Sequence, residues 1–311
     1  MPDLSVLIPA RNEMFLARTI QDILENSEAD TEIIAVLDGA WAEPPIPDHE
    51  RLTLVYHPQS VGQRAACNEA ARISKAKYVM KCDAHCAFGP GFDRIMMEDM
   101  QPDWTMVPAM YNLHAFDWVC QACGHRRYQG PTPEHCPECE GTMEREVLWR
   151  AKPSPYSTSM RFDNDLKFQY WGGYKKRQQG DLVETMSLLG ACWMLERERY
   201  FELNICDEEH GSWGQQGTEV ACKTWLSGGQ LICNKRTWFA HMFRTQGGDF
   251  GFPYPMRGRD VKKAREHSWW LWRGGNWGGG VRKLSWILGH FWPVDGWTEE
   301  ELAELKAQEN E

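Results

Sequence analysis

Two groups of residues in this chain have the types and spacing to do chemistry. The stretch YVMKCDAHCAF, from Tyr78 to Phe88, ends an apolar run in Asp83 and places His85 two residues later. In an extended chain, side chains alternate faces. A carboxylate and an imidazole two apart therefore point the same way and could grip a divalent cation. Taken alone, the pair favours an ordinary solvated loop, because short motifs match by chance. The second group is Cys120-x2-Cys123 and Cys136-x2-Cys139, with twelve residues between the pairs. Two such knuckles supply four thiolates for a tetrahedral zinc of the zinc-ribbon type, and four unrelated thiols seldom fall in this pattern. Four sulfur ligands leave no open position, so that zinc is expected to be structural. His125, Arg126 and Arg127 lie between the knuckles, where they would be displayed and favour contact with an anion.

These residues need elements to hold them. LSVLIP, TEIIAVLD, LTLVYH, KYVMKCD and the later WTMVPAM are short, apolar runs that predict strands. MFLARTIQDILEN sets Phe15, Ile20, Ile23 and Leu24 at near-helical spacing, and the alanine-rich GQRAACNEAARISK predicts a second helix. Strands alternating with helices imply an α/β domain with parallel pairing and helices on both faces. Ligands in such sheets bind beyond the C-terminal strand ends, where Asp38 and Asp83 are expected to face one crevice. The polar, cysteine-bearing stretch from Phe116 to 145 looks inserted, and VLWRAK resumes the sheet. YWGGYKKRQQGD predicts a basic loop. LLGACWMLERERYFEL predicts a strand and a short helix, and GTEVACKTWLSGG a helix closed by a glycine pair. QLICN and RTWFAHMF predict two further strands. The chain thus divides into a main domain (1–115 and 146–245), the insertion (116–145) and a C-terminal region (246–311).

Bulk composition narrows the function classes. Of 311 residues 42% are hydrophobic, which excludes global disorder. No run of eighteen apolar residues and no basic-then-apolar leader is present, so neither a membrane anchor nor secretion is expected. The seven cysteines outside the knuckles mostly sit in apolar stretches, as buried thiols of a reducing cytoplasm do, in a bacterial or phage-infected cell. The net charge of −10 is uneven. Residues 1–234 hold 22 basic and 34 acidic side chains, residues 235–283 hold 11 and 3, and residues 284–311 hold 1 and 7. A basic block in an acidic chain is either a solvated face or a surface that meets an anion.

LSVLIPARNE, EIIAVLDG, GQRAACNEA and KYVMKCDAHC follow the order seen in nucleotide-sugar glycosyltransferases of the GT-A fold, family 2 type. Within that group, Asp83-x-His85 resembles the Asp-x-His of the polypeptide N-acetylgalactosaminyltransferases. The later segments SWGQQGTEVACKTWLSGGQL and CNKRTWFAHMFR resemble that family's Trp-Gly-Gly-Glu-Asn-x-Glu helix and its Cys…His-x-Phe-Arg segment. The resemblance covers roughly residues 3–115 and 185–258. It implies a GT-A fold, a UDP-sugar donor and a Mn2+ (or Mg2+) ion held by Asp83, His85 and His241, with transfer of a hexose or N-acetylhexosamine. It also implies that Pro9, Ala10, Arg11 and Glu13 line the nucleotide and that Asp38 meets uracil or ribose. Arg64 and Arg244 follow as nucleotide-sugar contacts, Arg244 at the diphosphate, and Trp213 as a donor-side residue. TQGGDFGFPYPMRG resembles a lid. Leu37 stands where relatives often carry a second acid, and Gln216-Gly217 where they carry Glu-Asn. Inverting relatives use a carboxylate on this helix as general base. Glu219 is the candidate here, either in that role or as a structural partner at the helix start.

The segment RGRDVKKAREHSWWLWRGGNWGGGVRK interleaves basic residues with tryptophan. Such a segment packs against its own domain, binds nucleic acid by phosphate contact and stacking, or sits at a membrane interface. With the arginines between the knuckles it gives a leading expectation of a DNA acceptor, the hydroxyl being that of a hydroxymethylated pyrimidine extruded from the duplex. The alternatives are a protein or cell-surface glycan acceptor, and a non-catalytic zinc-bearing nucleic-acid-binding protein.

Overall fold

The computed structural model describes residues 1–244 and 246–309; Thr245, which opens the expected lid, lies outside the described residues. The first half alternates as the periodicities predict: β1 Leu4–Ala10, α1 Leu16–Asn26, β2 Thr31–Asp38, β3 Leu52–His57, α2 Gln63–Ile73 and β4 Tyr78–Cys82. There follow β5 Cys86–Phe88, α3 Phe92–Asp99, β6 Trp104–Cys120, β7 Arg126–Tyr128 and β8 Met143–Ser157. The second half holds β9 Met160–Phe162, β10 Phe168–Tyr170, β11 Leu182–Glu184, β12 Cys192–Glu196, α4 Arg197–Glu202, α5 Gln216–Leu226 and β13 Gln230–His241. Helices α6 Gly258–Ser268, α7 Leu284–Phe291 and α8 Glu299–Gln308 close the chain.

One mixed sheet runs β11-β13-β6-β12-β4-β1-β2-β3. The block β3-β2-β1-β4 is parallel throughout. Strands β1, β2 and β4 are buried on both faces, so β1 and β2 read as unbroken apolar runs with no alternation, while β3 is the half-exposed edge. Helix α1 buries Leu16, Ile20 and Ile23, three and four residues apart on one face. Phe15 lies just outside the helix and packs on Trp149 of β8 instead. Helix α2 approaches through Ala66, Ala70 and Ala71, all fully buried. The parallel block ends where β12 pairs antiparallel with β4, which leaves the C-terminal ends of β1, β2 and β4 open as a crevice.

Several expectations change. QLICN and RTWFAHMF form one strand, β13, bent by a bulge between Asn234 and Trp238. The basic loop at 172–177 is a 3-10 turn. The composition change at Phe116 falls within β6, which continues to Cys120 and pairs with β8 as a long hairpin carrying the four cysteines at its tip. The Trp-rich segment packs in part. Trp272 is buried and Trp277 half-buried, while Trp269 and Trp270 are exposed; Arg273 lies over Trp269 and Trp297, and Arg282 lies over Trp286 while donating to the carbonyls of Trp225 and Gly229. Among the described residues no helix is long and apolar enough to cross a membrane.

Candidate functional site

The crevice is built from strand ends. Pro9 and Ala10 end β1 and Arg11 and Glu13 follow it, Asp38 ends β2, and Asp83 and His85 follow β4; all seven line one cavity with Trp213. A second cavity adjoins it and shares Glu13, Asp83, His85 and Trp213, adding His241, Arg244 and Gln216. The cation candidates therefore sit at the junction of the two.

Asp83 and His85 do not meet by extended-strand alternation. The chain turns at Ala84 and His85, and β5 then pairs antiparallel with β13, setting Cys86 against His241. That register brings His85 Nε2 within 3.0 Å of His241 Nε2, which stands 3.2 Å from Asp83 Oδ2. An octahedral cation with bonds of about 2.1 Å separates neighbouring ligand atoms by about 3.0 Å, so the three residues fit one. Burial pushes the His241 imidazole down to about 4, leaving it neutral and free to donate a lone pair, and its buried Nδ1 has no partner. Lys81, fully buried beneath the site, donates to Asp83 and to Gly190 O at 2.7 Å. Burial alone would raise the Asp83 pKa; the Lys81 ammonium overrides it and holds the carboxyl well below the usual range. Sequence reasoning passed over Lys81, although a lysine inside an apolar strand is itself a signal that a counter-charge waits nearby.

Arg244 is buried and donates to Glu13 and to Gly251 O, while its Nε has no partner among the described residues. Glu13 also lies 3.2 Å from His85 Nδ1, so one carboxylate orients both a candidate cation ligand and the arginine. Asp38 lines the crevice, yet its oxygens already accept from Ser60 Oγ (2.8 Å), Val61 N (2.5 Å) and Gly62 N (3.1 Å). It shapes the 60–62 loop, where Gly62 takes φ +95° before α2, a conformation that glycine permits.

Two expected site residues lie behind the wall. Arg64 and Glu219 line neither cavity. Arg64 Nε donates to Glu219 at 2.9 Å, and its other nitrogens reach Gly211 O and Gly214 O at 3.0 and 2.7 Å. Glu219 is fully buried and also accepts from Lys223 Nζ (2.8 Å) and Asp207 N (2.7 Å). Burial pushes its pKa up, Lys223 and Arg64 pull it down further, and the net shift is downward. This enclosure is what the structural role of Glu219 at the helix start requires. Arg64 ties α2 to the loop carrying Trp213. Instead, the C-terminal segment supplies Tyr254, Met256, Arg257 and Asp260 to the crevice.

At the hairpin tip the four thiols converge, with Cys120 Sγ 3.5 Å from Cys139 Sγ and Cys123 Sγ 3.7 Å from Cys136 Sγ. A zinc tetrahedron with 2.3 Å bonds has sulfurs about 3.8 Å apart, so the set fits that ion. Backbone N–H groups of Cys123 and Ala122 draw the Cys120 thiol down to about 6. Arg126, expected to be displayed for an anion, is engaged by Asp117 and Glu146; Arg127 stays exposed.

Residues 5–117 match the glycosyl transferase family 2 model. The probable N-acetylgalactosaminyltransferase 9 of Caenorhabditis elegans is 21% identical over 281 residues, covering 85% of this chain and 42% of the relative. Polypeptide N-acetylgalactosaminyltransferase 3 of Mus musculus is 23% identical over 269 residues, covering 79% and 37%. The chain thus spans less than half the length of the curated relatives it matches. Among solved structures, GalNAc-T7 with UDP, GalNAc and Mn2+ superposes with a TM-score of 0.61 at 16% identity, over 99% of this chain and 55% of that one. At that identity the likeness carries the fold. The sequence match gives residues 5–117 as a glycosyl transferase family 2 domain, and the structural likeness gives the chain a GT-A fold.

Proposed function

We propose that this chain transfers a sugar from a UDP-sugar to an acceptor hydroxyl, with Mn2+ (or Mg2+) held by Asp83, His85 and His241. The observation that carries the reading is the convergence of these three side chains at the junction of two cavities, one edged by strand ends and the other by α5. A divalent cation bound there supplies Lewis-acid stabilisation to a departing diphosphate. Arg244, with an unpartnered buried Nε, supplies a fixed positive charge beside it. Tyr254, Met256 and Arg257 cover the crevice from the C-terminal side and exclude water that would hydrolyse the donor. A structural zinc on Cys120, Cys123, Cys136 and Cys139 belongs to the same reading and stiffens the hairpin tip.

The acceptor divides into two readings. Exposed Arg259, Lys262 and Lys263 on α6, with Trp270 beside them, support the hydroxymethylated pyrimidine of DNA. The printed names of the relatives support a polypeptide hydroxyl. UDP release from UDP-hexoses and UDP-N-acetylhexosamines with Mn2+, measured alone, with hydroxymethylated duplex DNA and with a Ser/Thr peptide, separates them. Stimulation by one acceptor selects it. No donor binding by the chain would overturn the enzyme reading and restore that of a non-catalytic nucleic-acid-binding protein.

A further inference from the structure

A third group of metal-ligating side chains stands away from both sites. Asp207 and His210 lie on the turn before α5, and His267 lies on the last turn of α6. Their ligand atoms all fall within 4.8 Å of one another. Asp207 Oδ2 is 3.1 Å from His267 Nε2 and 3.6 Å from His210 Nδ1. The first contact is within ordinary hydrogen-bond distance and the second is longer. His210 is fully buried, and among the described residues no acceptor lies within 3.5 Å of its Nδ1; Glu219 Oε1 stands 3.7 Å away. A buried ring nitrogen aimed at a carboxylate and left unpaired is costly unless something lies between them.

Zinc bonds of 2.0–2.2 Å to imidazole nitrogen and carboxylate oxygen, arranged tetrahedrally, put ligand atoms roughly 3.3–3.6 Å apart. The two observed separations bracket that range. The surrounding bonds are those of a prepared site. His210 Nε2 stands 3.2 Å from Ser268 Oγ, which fixes the ring with Nδ1 facing inward. Asp207 Oδ1 accepts from Glu209 N at 3.0 Å, which leaves Oδ2 for the centre. Glu209 Oε2, 4.0 Å from His267 Nε2 on an exposed side chain, or a water, completes four-coordination. Two imidazoles and a carboxylate are donors that zinc accepts, and the 3.6 Å separation is nearer a tetrahedral edge than the 3.0 and 3.2 Å separations at Asp83, His85 and His241, which suit an octahedral cation.

We infer that Asp207, His210 and His267 form a second zinc site, distinct from the cysteine cluster, that staples α6 to the turn leading into α5. Both partners matter to the crevice: α6 begins with Asp260 and Val261 in its wall, and the turn leads directly to Trp213.

The test is zinc content of the purified full chain, never exposed to chelator, by elemental analysis. The wild type is expected to carry two zinc ions per chain. Cys123→Ser/Cys139→Ser and His267→Asn are each expected to carry one, and the combined variant none. Cobalt substitution reads the sites separately. The wild-type spectrum contains intense thiolate-to-cobalt bands from the cysteine site, and the difference between wild type and His267→Asn should show only weak d–d bands without them. His267 lies at the helix end and is not fully buried, and circular dichroism verifies that its variant is folded. Should His267→Asn unfold, Asp207→Asn is read in its place. Equal zinc in the wild type and folded His267→Asn, or a cobalt difference spectrum with thiolate bands, would overturn the inference. Neither readout uses transferase activity, so failure of the donor reading and failure of this one are told apart.

Discussion

Glu219→Gln separates the two roles open to this residue. The native carboxylate accepts from Arg64 Nε, Lys223 Nζ and Asp207 N at 2.9, 2.8 and 2.7 Å, with the Glu219, Arg64 and Lys223 side chains buried. An amide of the same shape removes the charge that compensates two buried cations and turns an NH2 toward at least one donor. Removing one partner of such a buried network costs about 3–5 kcal/mol. For a chain of 311 residues, an unfolding entropy of about 2.1 cal/mol/K per residue converts this to a Tm lower by roughly 5–8 °C. At temperatures well below that melt, kcat for UDP release should stay within about threefold of wild type and the pH–rate profile should keep its shape. A general base contributes about 10²–10⁴-fold, and losing it removes the acid limb of the profile. Calorimetry and steady-state kinetics on one preparation decide. An unchanged Tm with kcat reduced a hundredfold would refute the structural assignment and return Glu219 to the chemistry.

His85→Ala removes one cation ligand at the cavity junction. UDP release should fall at least ~100-fold at saturating Mn2+, since Lewis-acid stabilisation is worth several kcal/mol; a wild-type Mn2+ titration would speak against the site. Cys136 is buried at the hairpin tip, and Cys136→Ser should abolish zinc binding there and increase hydrogen exchange across 116–147 while leaving the β1–β4 block protected. Asp22 accepts from Phe88 N and Trp149 Nε1, and burial pushes its pKa from 3.8 up to about 6. The folded carboxyl holds its proton more tightly than the unfolded one, so this group's contribution is complete below about pH 4 and is lost as pH rises to about 6, by roughly 3 kcal/mol. Denaturant melts from pH 4 to 7 should show this slope in wild type and not in Asp22→Asn.

The legible part of this chain is what repeats locally. Apolar runs marked β1, β2 and β4, and their ends marked Asp38 and Asp83 as crevice residues, because in a parallel sheet the C-terminal edge is set by topology alone. The cysteine spacing marked the hairpin tip. What stayed hidden depends on distant partners. Asp83 and His85 converge because Cys86 pairs with His241, 155 residues on, and no local pattern encodes that register. Arg64 and Glu219 have the types expected of site residues, yet they pair with each other behind the wall. A charged side chain inside a helix gives no sign of which face will be sealed until its partner is known. The Trp-rich block was only partly legible for the same reason: composition records arginine and tryptophan, and not that Arg273 and Arg282 are spent on internal rings and carbonyls while Arg259, Lys262 and Lys263 stay exposed.

The departure at Gln216-Gly217 has a packing cause that a last variant exposes. A Cβ on Gly217 would lie 2.0 Å from Leu188 O, 3.0 Å from Leu188 C and 3.2 Å from Gly190 N, all backbone atoms that cannot rotate away. Gly217→Ala must therefore displace α5 or the 188–190 segment, and overpacking of this kind costs about 1–3 kcal/mol. The displaced segment carries Gly190 O, which accepts from Lys81 Nζ at 2.7 Å, and Lys81 in turn holds Asp83. The strain should therefore reach the cation ligands as well as the fold. The expected result is a lower Tm together with a several-fold rise in the Mn2+ concentration giving half-maximal UDP release. Gln216→Ala, which removes side-chain atoms beside Gly190 and the second cavity and adds no clash there, should leave the Mn2+ requirement unchanged. If Gly217→Ala melts like wild type, the close approach of α5 to Leu188 is not what excludes a larger residue there. If it melts lower with an unchanged Mn2+ requirement, Lys81 does not transmit the position of α5 to Asp83.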